Sequence, residues 1–137
     1  MLELSTAAQV TAGIAVLAAT TVTTGGWFMT RVVSGRVPAT SFQTSFFRAG
    51  HAHAGVFIVL GLVCLLLTGA TSLSGGWAWL ARTGVLVAAI LMPAGFFLSA
   101  LGAGRERPNR LVVLLYLGAA FLLAGLLTLG TGLLLSV

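Results

Sequence analysis

The chain has 137 residues, of which 58% are apolar and only 7% are charged. A soluble domain carries about 25% charged residues, so this composition excludes an ordinary soluble protein and predicts a single integral membrane domain over residues 1–137. The net charge of +5 comes from scattered arginines, without the basic stripe and interleaved aromatic residues of a nucleic-acid-binding protein, so no nucleic-acid partner is expected.

Four apolar stretches are long enough to cross a bilayer, which requires about 20 mostly apolar residues. They cover residues 7–29, 49–70, 80–103 and 111–135. The sequence therefore predicts an all-α fold, a bundle of four transmembrane helices. The first stretch follows Glu3 instead of a basic segment and is longer than the apolar part of a secretory signal, so we expect it to be retained.

The second helix has a start signal well before its apolar stretch. Thr40 and Gln43 follow Pro38 with the spacing of a capping box, in which each side chain accepts a hydrogen bond from the backbone of the other. This spacing predicts a helix that begins near Ser41.

The arginines predict the orientation of the bundle. Three lie in or beside the first connection and three in the third, whereas only Arg82 lies near the second. Cytoplasmic loops carry the excess of basic residues, so loops 1 and 3 are expected to be cytoplasmic and both termini outside. A chain rich in Arg, Ala, Gly, Val and Leu without any Lys suggests a bacterial protein, hence a multi-pass protein of the inner membrane.

Small residues recur on one face of each helix. Helices in lipid associate by close packing at such residues. The faces singled out for helix packing are Gly118, Gly125 and Gly132 in the last helix and Gly50, Ala54 and Gly61 in the second. Because every helix has such a face, we expect a homo-oligomer.

The two histidines, His51 and His53, stand together in the segment "RAGHAHAG" that begins at Arg48. A helix turns about 100° per residue, so the two imidazoles point about 200° apart and cannot easily bind one ion. Each is able to serve a different neighbour, as a ligand of haem or a transition metal. Two alternatives stay open: interfacial histidines that hydrogen-bond headgroups or backbone carbonyls, and a proton or substrate role.

The run His51-Ala-His53 followed by Ala-Gly-Val-Phe resembles one helix of the haem–copper oxidase and nitric oxide reductase superfamily. There one imidazole binds a low-spin haem and the other the active-site haem. The resemblance covers about ten residues around His51–Phe57 and implies haem b held by His51 and His53 beside Arg48, in a protein accessory to a respiratory complex. This chain has no further histidine, so a second axial ligand would come from Met29, Met92 or another subunit, or one axial position would stay open.

The layout of four spans with Arg48 at the start of the second helix is similar to the MAPEG family of trimeric glutathione-dependent membrane enzymes. That resemblance implies an anion site formed by Arg31, Arg48 and Arg110. The Asn and Glu of that family's second helix fall at Ala52 and Gly55 here, so glutathione chemistry is not implied and catalytic residues stay unassigned. A third hypothesis is a structural or interaction subunit without a cofactor.

Overall fold

The computed structural model describes residues 4–137, so Glu3, on which the expectation of a retained first span rests, lies outside them. The described chain forms four helices and no strand: α1 (Thr6–Val33), α2 (Ser41–Thr68), α3 (Gly75–Ser99) and α4 (Val113–Leu134). One 3₁₀ turn, Arg110–Val112, precedes α4. Each helix, the last together with this turn, is long and apolar enough to cross a membrane. The prediction of an all-α protein with four helices long and apolar enough to span a membrane is confirmed.

The start of α2 agrees with the capping box. The hydroxyl of Thr40 accepts a hydrogen bond from the Gln43 amide at 3.1 Å, and the Gln43 side-chain oxygen accepts one from the Thr40 amide at 3.1 Å. These bonds satisfy two of the amide groups that lack a partner at a helix start. The helix therefore begins at Ser41, well before its predicted span.

The bounds of α3 differ from the predicted span of 80–103. The helix runs from Gly75 to Ser99, because hydropathy marks side chains that suit lipid and not the residues at which a helix ends. Gly102 and Gly104 have φ angles of 121° and 62°, a region that breaks a right-handed helix and that glycine enters without steric cost. The chain leaves α3 before these residues and forms the third loop.

The helices pack unequally. α3 is central, with α2 on one side and α4 on the other, whereas α1 packs mainly against α2 and meets α3 near its own C-terminal end, where the ring centroids of Phe28 and Phe97 are 6.2 Å apart. Cys64, at 2% exposure, lies with Val85 and Met92 in the core between α2, α3 and α4. This arrangement leaves a space between α1 and α3.

The predicted glycine faces lie at contacts within the chain. A Cβ built on Gly118 would lie 2.9 Å from the backbone nitrogen of Met92, and one on Gly125 would lie 3.2 Å from Cα of Gly84. The other three glycines of these faces are also in close contact with a side chain: Gly132 with Leu73, Gly61 with Leu86 and Gly50 with Phe97. These glycines account for packing inside one chain and supply no argument for an oligomer.

The connections meet at two ends of the bundle. At one end, the hydroxyl of Thr40 donates to the carbonyl of Arg105, which joins the first connection to the third. At the other end, Ser72 of the second connection donates its amide to Ser136 Oγ at 3.0 Å. Leu4 lines a cavity there together with the end of α2. Both ends of the described chain thus lie on the side of the second connection.

Gln43 fastens the third loop to the start of α2. Its side chain is 6% exposed and its amide nitrogen donates to the carbonyls of Ala100 and Gly102 at 2.9 and 2.8 Å. One side chain therefore satisfies two loop carbonyls in addition to capping the helix.

Replacing Gln43 by alanine is expected to lower the free energy of unfolding by about 2 kcal/mol, because the carbonyls of Ala100 and Gly102 lose their donor and the capping bond is lost. Chemical unfolding in detergent micelles measures the change. Ser41→Ala, in the exposed first turn of the same helix, is the control and should leave the value nearly unchanged. Equal values for the two variants would show that the loop is held by other contacts.

Candidate functional site

The two histidines leave α2 in different directions, as their spacing predicts. His51 contacts α1, where a Cβ built on Gly25 would lie 3.1 Å from its Nδ1 and one built on Gly26 would lie 3.5 Å from its Cε1. His53 contacts Phe96 of α3, with ring centroids 5.1 Å apart. The pair therefore belongs to two separate environments and does not form one chelating site.

His53 is held by its own helix. Its Nδ1 lies 2.7 Å from the carbonyl oxygen of Ala49, and because a carbonyl only accepts, Nδ1 carries the proton. The ring also meets the edge of Phe57 at a centroid distance of 5.2 Å. In a neutral imidazole of this tautomer Nε2 is the free acceptor, and it lies in an aromatic setting between α2 and α3.

His51 lies beside a pair of glycines, which leave room for its ring. Both Gly25 and Gly26 contact the imidazole, and a larger residue at Gly25 would push it away from α1. Of the two histidine rings, only that of His53 hydrogen-bonds to another described residue. Both ring nitrogens lie next to α1, with Nδ1 3.1 Å from the Cβ position of Gly25 and Nε2 3.7 Å from that of Gly26.

A cleft of about 500 Å³ opens between α1 and α3, with His51, Ala54 and Ile58 of α2 as its floor. This volume is within the range of about 300–1,000 Å³ that small-molecule and cofactor sites occupy. Along α1 the lining extends from Thr11 to Gly25, which is about 20 Å of helix. Ala54, predicted as a packing residue, lines this α1–α3 cleft because α1 and α3 lie apart there.

The lining of the α1–α3 cleft is almost wholly apolar. Apart from His51, its polar side chains are Thr11, Thr21 and Thr83. Each threonine hydroxyl donates to a carbonyl of its own helix, at 2.8, 2.6 and 2.8 Å respectively. The imidazole of His51 is therefore the polar side chain in this cleft that is left for a ligand.

Pro93 adds a backbone feature to the same cleft. It continues α3 without a kink large enough to end the helix, but it has no N–H, so the carbonyl of Ala89 four residues earlier loses its helical donor. Both residues line the cleft. A carbonyl without its helical donor requires another hydrogen-bond partner in lipid. A ligand with a hydrogen-bond donor would supply that partner.

A second depression adjoins the cleft at His51. It has a volume of about 560 Å³ and is lined by Met29, Thr30, Val33 and Ser34 of α1 and by Arg48 and His51 of α2. Arg48 lies one turn before His51 and is exposed. His51 thus stands between an apolar cleft and a depression that contains a cation.

The three arginines predicted as an anion site do not line one cavity. Arg31 lies over the ring of Trp27, with 4.9 Å between the guanidinium carbon and the ring centroid, and it lines a depression with Arg36. Arg48 lines the depression at His51, and Arg110, exposed at the 3₁₀ turn, lines neither. Only Arg48 is brought to a histidine.

Between residues 4 and 137 no three His, Cys, Asp or Glu side chains converge on a point where they would hold a metal ion. Met29 and Met92, the other candidate haem ligands, are buried; Met29 lines the depression at His51 and Met92 lines neither cavity. Of the candidate haem ligands, only His51 lines the α1–α3 cleft.

Comparisons with protein-family models, with curated proteins and with solved structures find no match to this chain. The class of protein is defined by the fold alone: a multi-pass bundle of four apolar helices.

Proposed function

We propose that this protein binds a haem-sized apolar cofactor in the α1–α3 cleft, with His51 as its axial ligand, and that haem b is that cofactor. The observation that carries the proposal is an imidazole, that of His51, which lines an apolar cleft of about 500 Å³ whose threonines already bond to their own helices. When bound, haem supplies one-electron redox chemistry, which agrees with a role accessory to a respiratory complex.

The residues present fit such a group in two respects. Gly25 and Gly26 bring no side chain against the ring of His51, and the apolar lining suits a porphyrin face. His53 does not line the cleft, so one haem held by both histidines is not part of the proposal. A second axial position would stay open or take a ligand from another chain.

The test is a visible absorption spectrum of the detergent-purified protein after reconstitution with haem, oxidised and dithionite-reduced. We expect a Soret band and sharp α and β bands in the reduced form for wild type and for His53→Ala, and their loss in His51→Ala. His53→Ala is the matched control, because it removes an imidazole from the same helix but not from the cleft. A colourless wild-type protein would rule the proposal out.

We also propose the orientation in the bacterial inner membrane. The end of the bundle formed by loops 1 and 3 holds six of the seven arginines, namely Arg31, Arg36, Arg48, Arg105, Arg107 and Arg110, and the positive-inside rule assigns it to the cytoplasm. The second loop and both termini then lie outside.

Cysteine labelling in intact cells tests this orientation. The native Cys64 is 2% exposed, so Cys64→Ala provides a background without a competing thiol. A membrane-impermeant maleimide should label Ser74→Cys in the second loop and leave Glu106→Cys in the third loop unlabelled until the cells are lysed. The reverse pattern would invert the topology.

A further inference from the structure

We infer that the α1–α3 cleft and the adjoining Arg48 depression form one site for an anionic amphiphile: a ligand with an elongated apolar body and a carboxylate or phosphate group. The inference rests on the proposed function in that it concerns the ligand of the same cleft. It adds that the ligand carries a negative charge and that Arg48 binds the charged group.

The two cavities share His51. It is on the wall of both, so the apolar cleft and the depression adjoin at this side chain. Arg48 is three residues earlier on the same helix, and residues three apart lie on one face of a helix about one turn from each other. A ligand that reaches His51 along the cleft therefore has its next group beside the guanidinium of Arg48.

The chemistry of the two parts is different. The cleft offers hydrocarbon along about 20 Å of α1, whereas the depression offers a guanidinium, which binds carboxylates and phosphates through two parallel hydrogen bonds. The described chain has one carboxylate side chain, Glu106, in the third loop. An anion supplied by the ligand is the natural counter-ion for Arg48 at the mouth of the cleft.

Two sources supply this chemistry: the propionates of haem, and the headgroup of an acidic phospholipid whose acyl chain occupies the cleft. The experiment therefore has two arms, each with wild type, Arg48→Gln and the control Arg36→Gln. Arg36 is exposed at the same end of the bundle and lines the other depression, so its replacement removes the same charge without touching the site.

In the first arm, haem and haem dimethyl ester are titrated into the protein in phosphatidylcholine nanodiscs. We expect wild type and Arg36→Gln to bind haem about tenfold more tightly than the ester, the value of one charge-assisted hydrogen-bonded contact, and Arg48→Gln to bind both equally. In the second arm, native mass spectrometry compares retained phosphatidylglycerol with phosphatidylcholine. A preference for phosphatidylglycerol that is lost only in Arg48→Gln would identify a lipid as the ligand.

The outcomes separate this inference from the proposed function. If the protein binds no haem but retains phosphatidylglycerol through Arg48, the haem proposal fails and the anionic site stands. If haem binds through His51 but neither arm responds to Arg48→Gln, the function stands and the inference is overturned. Equal effects of Arg48→Gln and Arg36→Gln on ligand binding also overturn the inference. They would show that binding depends only on the total positive charge at that end of the bundle.

Discussion

Replacing Gly95 by alanine is expected to lower the free energy of unfolding of the bundle by about 2 kcal/mol or more, the cost of a methyl group forced into closely packed structure. A Cβ built there would lie 2.5 Å from the backbone nitrogen of Leu115 and 2.9 Å from its Cα. Backbone atoms cannot turn aside as a side chain does, so α4 would have to move away from α3 along their shared seam.

The control for this prediction is Gly130→Ala in α4, where a Cβ would meet nothing within 4 Å. There alanine only favours the helix, by up to about 1 kcal/mol relative to glycine. The same chemical change should thus act in opposite directions at the two positions. Reversible unfolding of the purified protein in detergent micelles measures both. A Gly95→Ala protein as stable as wild type would mean that α3 and α4 do not pack as closely as described.

The four helices were predictable because lipid imposes a simple requirement. A segment that crosses it must be apolar and must satisfy its own backbone hydrogen bonds, so hydropathy alone marks the spans. The start of α2 was also predictable, because the Thr40–Gln43 capping box involves only four consecutive residues. The end of α3 was not predictable from hydropathy, because the stretch continues to residue 103 while backbone angles at Gly102 end the helix earlier.

The neighbours of each helix were not predictable. Glycine or alanine faces occur on every helix, and spacing does not reveal that Gly125 meets Gly84 or that Gly61 receives Leu86. It also does not reveal that α1 and α3 are separated by a cleft before they meet at Phe28 and Phe97. Ala54 shows the consequence, because a small residue looks the same in sequence whether it faces a helix or a cleft.

Part of the candidate site followed from helix geometry. A separation of two residues predicts that His51 and His53 face different neighbours, and His51 faces α1 while His53 faces α3. What sequence reasoning missed is the partner of His51. The adjacent glycines Gly25 and Gly26, at the end of the first predicted span, were the available signal, since consecutive glycines weaken a helix and so indicate a close approach.

Replacing Gly25 by leucine is expected to reduce haem affinity at least about tenfold, more than 1.4 kcal/mol of binding free energy. A Cβ at this position already lies 3.1 Å from His51 Nδ1, and Gly25 also lines the cleft. A leucine side chain would therefore displace the imidazole and occupy part of the space for the ligand. Haem titration followed at the Soret band measures the affinity.

Gly13→Leu is the matched control, because it makes the same substitution in the same helix where a Cβ would meet nothing within 4 Å. This variant should bind haem as wild type does, and both variants should keep the helical circular dichroism of the native bundle. Since α1 packs mainly on α2, a leucine at Gly25 disturbs one contact and leaves the core between α2, α3 and α4 intact. If Gly25→Leu and Gly13→Leu bound haem equally well, haem would not be held by His51, because the leucine at position 25 displaces that imidazole and fills part of the cleft.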